Sequence, residues 1–266
     1  MAVKEHATYG DELADVYDDH YQFQFGETAA AVSFLAQLAG AGRALELGIG
    51  TGRLAIPLAE QGVDVRGIEM SEQMVRKLRA KPGGAEIPVT VGDIADVPVD
   101  GRFSLVFAAF HTLLFLTTQE EQVRCFRNVA ERLEAGGAFV VEAWIPHHAS
   151  MNDYVRVTSI GLHEVQLQAM LYDPVTQLGM THDIVVDEGG VKTYPYLVRS
   201  IWPAELDLMA QLAGLRLVER WASWLRQPLE QDSRYQISVY RSPEPGRNGR
   251  PGGFGEISGA AQRPSA

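Results

Sequence analysis

The residues best placed for chemistry are two carboxylates and a run of three glycines. Glu46 precedes Gly48, Gly50 and Gly52 in one short stretch, and Glu69 ends the next apolar run. Glycines let the backbone approach a ligand where a Cβ atom would clash. A carboxylate at the tip of a strand can accept hydrogen bonds from both hydroxyls of a ribose. These residue types in this order predict a site for a nucleoside.

The spacing of the glycines separates two kinds of nucleoside. A turn that binds a dinucleotide has the pattern G-x-G-x-x-G, whereas this chain has G-x-G-x-G, with Arg53 where the third glycine is expected. Glu46 also suits a cationic ligand and would repel a pyrophosphate. A nicotinamide-dependent oxidoreductase is therefore the weaker hypothesis, and the chain lacks a Tyr-x-x-x-Lys pair. A glycine-rich turn without a ligand is a third alternative, because such turns are weak signals on their own.

Alternating strands and helices are predicted to position these residues. The predicted strands are residues 44–48, 63–69, 87–91, 103–109, 138–143, 215–222 and 235–241, and the helices between the first five are residues 52–61, 71–80 and 119–134. Strands that alternate with helices favour a parallel sheet with helices on both faces. The carboxyl ends of such strands face one crevice, which would collect the candidate residues at one edge.

We divide the chain into five segments. Residues 1–40 are predicted to form helices that cover the site, and residues 41–150 the ligand-binding core. Residues 151–201, where β-rich runs alternate with turn signals, predict a small antiparallel sheet inserted after the fifth strand. Residues 202–241 are expected to hold a helix and the last two strands. Residues 242–266 are rich in Gly, Pro, Ser and Arg and are expected to be a disordered tail.

The order of these motifs resembles that of class I S-adenosylmethionine (SAM)-dependent methyltransferases. The resemblance rests on the E-x-G-x-G-x-G stretch, on Glu69, on Asp93 after the third strand and on Gly136-Gly137 before the fifth. It implies a Rossmann-like, seven-stranded, mostly parallel sheet and SAM as the cofactor. The insert is similar to that of sugar N-methyltransferases and glycine N-methyltransferases, and the C-terminal strands resemble uncharacterised actinobacterial members. In these relatives the insert roofs the active site and often contributes to dimer contacts.

The resemblance also assigns residues to the cofactor. It places an aspartate against the adenine amino group with its neighbour on the ring, and it places a Tyr-Asp pair near SAM, although Tyr17 could instead only pack on a helix face. Arg53 could meet the carboxylate of SAM or simply be surface charge. The predicted cofactor residues are Tyr17, Glu46, Gly48, Gly50, Gly52, Arg53, Glu69, Met70, Asp93, Ile94 and Ala109.

Methyl transfer from a sulfonium mainly requires alignment of the reacting atoms and exclusion of water. A base is needed only where the acceptor arrives protonated. Sugar N-methyltransferases use a tyrosine in the segment that matches Tyr9, so the resemblance assigns Tyr9 to catalysis. His111 follows the fourth strand and is the candidate base, although it could equally cap the strand or touch the cofactor. The catalytic histidine of those relatives falls near Phe115 here, which puts an amino-sugar acceptor in doubt.

Aromatic and histidine residues near the crevice are candidates for the acceptor. Trp144 and His147 follow the fifth strand, together with His148, and Tyr21 precedes the first. Adjacent histidines on a loop are more often exposed than functional. No pair of residues has the spacing of a metal site.

Composition limits the partners. The formal net charge is −11, so a nucleic-acid substrate is not expected without a local basic groove. The single cysteine, Cys125, cannot form an internal disulfide. No apolar run reaches the roughly 20 residues of a spanning helix, and the first residues do not have the pattern of a signal peptide. We therefore expect a cytoplasmic methyltransferase that acts on oxygen or nitrogen of a small molecule and could form a homodimer. The alternative from another class is an inactive SAM-binding partner or sensor.

Overall fold

The computed structural model describes residues 9–21, 26–147 and 152–244. The candidate His148 and most of the predicted tail lie outside the described residues. Residues 9–13 are helical. The α-helices that follow are α1 Tyr17–Tyr21, α2 Thr28–Ala39, α3 Ala55–Glu60, α4 Glu72–Ala80, α5 Gln119–Arg132 and α6 Pro203–Leu212. Short 3₁₀ turns lie at Gly84–Glu86 and Thr112–Phe115. No helix in these ranges is long and apolar enough to cross a membrane.

A seven-stranded sheet forms the core of the molecule. Its strands are β1 Arg43–Leu47, β2 Asp64–Glu69, β3 Val89–Val91, β4 Phe103–Ala108, β5 Leu133–Trp144, β10 Arg216–Trp221 and β11 Tyr235–Arg241. They lie in the order β10-β11-β5-β4-β1-β2-β3. Strand β11 is antiparallel to both of its neighbours, and the other pairings in the sheet are parallel. The predicted Rossmann-like fold class is confirmed.

Apolar side chains cover both faces of this sheet. In β1, Leu45 and Leu47 pack into the core on one face, and Ala44 packs into the core on the other. In β4, Val106 and Phe107 are divided between the two faces in the same way. Parallel strands covered by helices on both sides are continuous apolar runs for this reason. The carboxyl ends of these strands are therefore held at one edge by packing along their whole length.

A second, four-stranded sheet follows the fifth strand. It is an antiparallel meander of β6 Tyr154–Ile160, β7 Glu164–Asp173, β8 Leu178–Asp187 and β9 Gly190–Arg199. The predicted insert is thus confirmed, and a turn at Glu188-Gly189 joins β8 to β9. The largest difference from a predicted boundary lies at the start of the fifth strand. Strand β5 begins at Leu133, five residues before its predicted start at residue 138. Leu133 already pairs with Phe103, and an irregularity that includes Gly136-Gly137 follows before the pairing resumes.

Polar contacts hold the N-terminal segment, residues 9–21, between the two sheets. Asp15 and Asp18 form ion pairs with Lys77 and Lys81 of the core at 2.6 and 2.5 Å. The Tyr21 hydroxyl donates to a carboxylate of the insert, Asp183, at 2.6 Å. These contacts place the segment over the carboxyl ends of the core strands.

Candidate active site

The turn between β1 and α3 is the first part of the site. Gly48, Gly50 and Gly52 have φ angles of 69°, 53° and 83°, which are left-handed conformations that favour glycine. A Cβ atom on Gly48 would lie 2.5 Å from a methyl group of Thr112, whereas one on Gly50 would meet no atom within 4 Å. The backbone at Gly50 therefore borders open space, as a turn that receives a ligand must.

The Glu69 carboxylate joins this turn to the loop after β2. One of its oxygens accepts from the backbone N–H of Gly50 at 2.9 Å, and the other accepts from Met70 and Ser71, each at 3.0 Å. Burial raises the pKa of Glu69, and the three backbone donors lower it. The side chain is thus held in one position at the strand end before any ligand arrives.

A cavity opens above these residues at the carboxyl ends of β1 to β4. Eight predicted site residues line it, namely Tyr9, Tyr17, Gly48, Gly50, Glu69, Met70, Asp93 and Ile94. Seven further residues of the lining were not predicted as site residues, namely Gly10, Met74, Gly92, Thr112, Phe115, Leu116 and Glu121. Three of these had a signal in the sequence, because Gly10 and Gly92 adjoin the predicted Tyr9 and Asp93, and Phe115 falls near the position of the relatives' catalytic histidine.

Glu46 lies buried below the glycine turn. Its side chain has an oxygen with no hydrogen-bond partner, and burial raises its pKa to about 8. A buried carboxylate with an unpaired oxygen is stabilised by a nearby positive charge, which here comes in part from Arg53. Such a group favours a cationic ligand at the turn and disfavours an anionic one.

The remaining predicted residues lie outside the cavity lining. They are Glu46, Gly52, Arg53, Ala109, His111, Tyr21, Trp144 and His147. The Arg53 guanidinium donates to the Thr28 hydroxyl at 3.1 Å and lies 5.5 Å from the centre of the Phe110 ring. Ring nitrogen Nε2 of His147 is 2.9 Å from the backbone oxygen of Ser233. Their roles toward a ligand stay predictions.

The partly buried His111 ring belongs to an aromatic cluster in which Tyr235 is 49% exposed. Its ring stacks on Tyr235 at a centroid distance of 5.5 Å and lies 4.9 Å from Trp144. Burial, assisted by Arg53, lowers the pKa of His111 to about 3. His111 and Phe110 have φ angles of 64° and 48°, unusual for side chains of this size. An imidazole with this pKa is neutral at pH 7 and is a weak proton acceptor.

These residues fit SAM better than a dinucleotide. Backbone open at Gly50, a braced carboxylate at Glu69 and the cavity-lining Asp93 and Ile94 match the needs of an adenosine group. The positive charge of SAM would stabilise the ionised form of Glu46, whereas a pyrophosphate would destabilise it. The described residues contain no group of three His, Cys, Asp or Glu side chains that could hold a metal ion.

Comparisons with known proteins agree with this geometry. Residues 44–137 match a family model described as a methyltransferase domain. The chain is 33% identical over 221 residues to dTDP-3-amino-3,4,6-trideoxy-alpha-D-glucopyranose N,N-dimethyltransferase of Streptomyces venezuelae, covering 79% of this chain and 92% of that protein. It is 26% identical over 200 residues to cypemycin N-terminal methyltransferase of a Streptomyces species, covering 73% of this chain and 81% of that protein.

A solved structure extends the comparison to the whole fold. The CcbJ methyltransferase from Streptomyces caelestis is 42% identical, with a TM-score of 0.82 over 89% of this chain and 98% of that one. The chain belongs to the class I SAM-dependent methyltransferases. It is a SAM-dependent methyltransferase enzyme, as the glycine turn and the ordered strand-end carboxylates predict.

Proposed function

We propose that this enzyme transfers the methyl group of SAM to an amine nitrogen of a small molecule. SAM, when bound, supplies a methyl group on a sulfonium that is already an activated leaving group. The protein therefore has to orient the nitrogen, exclude water and provide for the loss of an ammonium proton.

The charge of the cavity wall carries this proposal. In the described part of the chain, the lining contains the carboxylates Glu69, Asp93 and Glu121 and the aromatic rings of Tyr9, Tyr17 and Phe115, but no lysine or arginine. Aromatic faces attract ammonium and sulfonium groups. Of the two relatives named above, one is named as an N,N-dimethyltransferase of an amino sugar and the other as the N-terminal methyltransferase of cypemycin. In this chain, Phe115 lies near the position that holds the catalytic histidine in the sugar enzymes. The proposal therefore names an amine as the acceptor but not an amino sugar in particular.

Matched acceptors test the proposal. We expect labelled methyl from SAM to enter primary amines of a panel of amino sugars, amino acids and short peptides, but not the partner compounds in which a hydroxyl replaces the amine. An amine is a nucleophile once it loses one proton, whereas an alcohol needs a much stronger base. Liquid chromatography with mass detection would locate the label. Methylation of the hydroxyl compounds in preference to their amine partners would contradict the proposal.

We also propose that two copies of this chain associate through the outer face of the four-stranded sheet. Leu171 of β7 pairs with Met180 of β8, which pairs with Leu197 of β9, so all three point to the same face. Leu171 and Met180 are 54% and 44% exposed, and Val155 of β6, on the same face, is 72% exposed. A contiguous exposed apolar face on a sheet is typical of an interaction surface.

A pair of leucine substitutions tests this association. Leu171→Asp on the outer face should convert a dimer to a monomer, because an unpaired charge would be buried at the interface. Leu208→Asp on α6, where the leucine is similarly exposed at 59%, should leave the dimer unchanged. Light scattering coupled to size-exclusion chromatography measures both. A monomeric wild-type protein, or equal behaviour of the two variants, would contradict the proposed interface.

We place this enzyme in the cytoplasm, which fits its unpaired, buried Cys125.

A further inference from the structure

A buried carboxylate lies behind the cavity, where the inner face of the insert meets the N-terminal segment. Asp183 of β8 is only 4% exposed. Its Oδ2 accepts from the Tyr21 hydroxyl at 2.6 Å, and its Oδ1 accepts from the Gln168 amide at 2.9 Å and from the Tyr196 hydroxyl at 3.4 Å. Cofactor binding, as described above, does not use this carboxylate, and burial of an acidic group needs a compensating reason.

The hydrogen bonds that lead from Tyr9 through Tyr21 to Asp183 have a defined direction. A tyrosine hydroxyl has a single proton, and Tyr21 donates it to Asp183. The Tyr9 and Tyr21 hydroxyl oxygens are 2.5 Å apart, so Tyr9 must be the donor in that contact. The proton of Tyr9 therefore points away from the cavity that its side chain lines. The Tyr9 oxygen is left with lone pairs, which can accept a hydrogen bond from an N–H group of the acceptor.

We propose that Asp183 is a positioning residue for methyl transfer, which through Tyr21 makes Tyr9 a hydrogen-bond acceptor and receives the proton that an ammonium acceptor must lose. This rests on the proposed transfer to nitrogen. The N–H bond breaks as its proton passes to the Tyr9 oxygen. The original Tyr9 proton moves to Tyr21, and the Tyr21 proton moves to Asp183. Both tyrosines end neutral, the carboxylate becomes a carboxylic acid, and the nitrogen keeps its electron pair for attack.

The surroundings of the chain suit a transfer through neutral hydroxyls. Burial raises the pKa of Tyr9 and of Tyr21 well above the ordinary value, so neither forms a lasting tyrosinate. The His20 ring lies 3.7 Å from Asp183 Oδ2 and is a neighbour to which the proton can pass on. Within the described residues, the titratable and charged groups around Asp183 are its cross-strand partner Tyr194 and Tyr9, His20, Tyr21 and Tyr196, with Tyr154 and Arg156 bound to it through Gln168.

Asp183→Asn tests the chain without changing the shape of the side chain. An amide nitrogen at this position donates to Tyr21, so the chain reverses and Tyr9 presents its proton to the cavity. The test uses the panel amine that wild type methylates fastest. At pH 7 we expect kcat/KM to fall by about 100-fold. The deficit should shrink as the pH approaches the pKa of the amine, about 8 to 10, because the amine then arrives unprotonated. The affinity for S-adenosylhomocysteine should not change.

Two further variants separate this role from a structural one. Tyr21→Phe keeps the ring but breaks the chain, so it should show the same pH-dependent deficit, even if Asp183→Asn folds poorly. Glu164→Gln removes one negative charge from an exposed position on the same sheet and should match wild type at every pH. A deficit in Asp183→Asn and Tyr21→Phe that is the same at all pH values, or no deficit, would overturn the chain alone. A wild-type enzyme that methylates none of the amines would overturn the proposed function together with it.

Discussion

Replacing Glu69 by alanine is expected to weaken binding of S-adenosylhomocysteine by about 100-fold. The substitution removes the carboxylate that we predict accepts from a ribose hydroxyl, and it also releases three backbone donors, those of Gly50, Met70 and Ser71. A hydrogen bond to a charged group contributes about 1.5–3 kcal/mol, and about 2.8 kcal/mol corresponds to 100-fold in Kd. Isothermal titration calorimetry measures the change.

The matched control is Glu72→Ala, which removes an exposed carboxylate at the start of α4. It should bind S-adenosylhomocysteine as wild type does. NAD in a parallel titration examines the oxidoreductase alternative and should not bind. An unchanged Kd in a folded Glu69→Ala protein would show that this carboxylate does not hold the cofactor.

In the glycine turn, we expect glycine at position 52 to be needed for stability and glycine at position 50 to be needed for ligand binding. Alanine at Gly52 would place its Cβ 2.1 Å from the Leu78 side chain, which is fully buried. Its φ of 83° is also left-handed. Together, overpacking and the left-handed conformation should lower the free energy of unfolding by about 3 kcal/mol. Alanine at Gly50 has only the conformational cost, about 1 kcal/mol.

Alanine at Gly50 should affect ligand binding more than protein stability. The added methyl group enters the open space beside the cavity, so Gly50→Ala should remain folded but bind S-adenosylhomocysteine at least about tenfold more weakly, since overpacking costs 1–3 kcal/mol. Urea unfolding and calorimetry of both variants decide the question. If both variants lost the same free energy of unfolding, the prediction that a Cβ atom at Gly52 overpacks against Leu78 would be wrong.

Much of the fold and the cofactor side of the site could be predicted because local rules act there. The left-handed backbone of the first turn needs glycine. Glu69 ends one predicted strand and Asp93 closely follows another, so residue type and position agree. The bulge at the start of β5 could not be predicted, because it depends on pairing of Leu133 with Phe103, thirty residues away in the chain.

The acceptor side of the site was less accessible to sequence analysis. Strand side chains alternate between faces, and the sequence does not say which face of β8 is covered. Asp183 therefore received no role. His111 was predicted from its place after a strand, but the positive φ at Phe110 and His111 turns that segment, and its ring packs against Trp144 and Tyr235. The left-handed pair could not be predicted, since Phe rarely adopts that conformation and His, although enriched in it, adopts it in only a minority of cases.

The separation of the two sheets has a consequence for how such enzymes diversify. In the described residues, no strand of the core sheet pairs with a strand of the insert sheet. Substitutions on β7, β8 and β9 can therefore change the groups around Asp183 without shifting the register that aligns Glu69 and Asp93. Under the role proposed for Asp183, acceptor preference can then change while cofactor affinity is conserved. Exchanging the insert between two members of the family would then transfer selectivity as a module, much as loop exchange does on other α/β scaffolds.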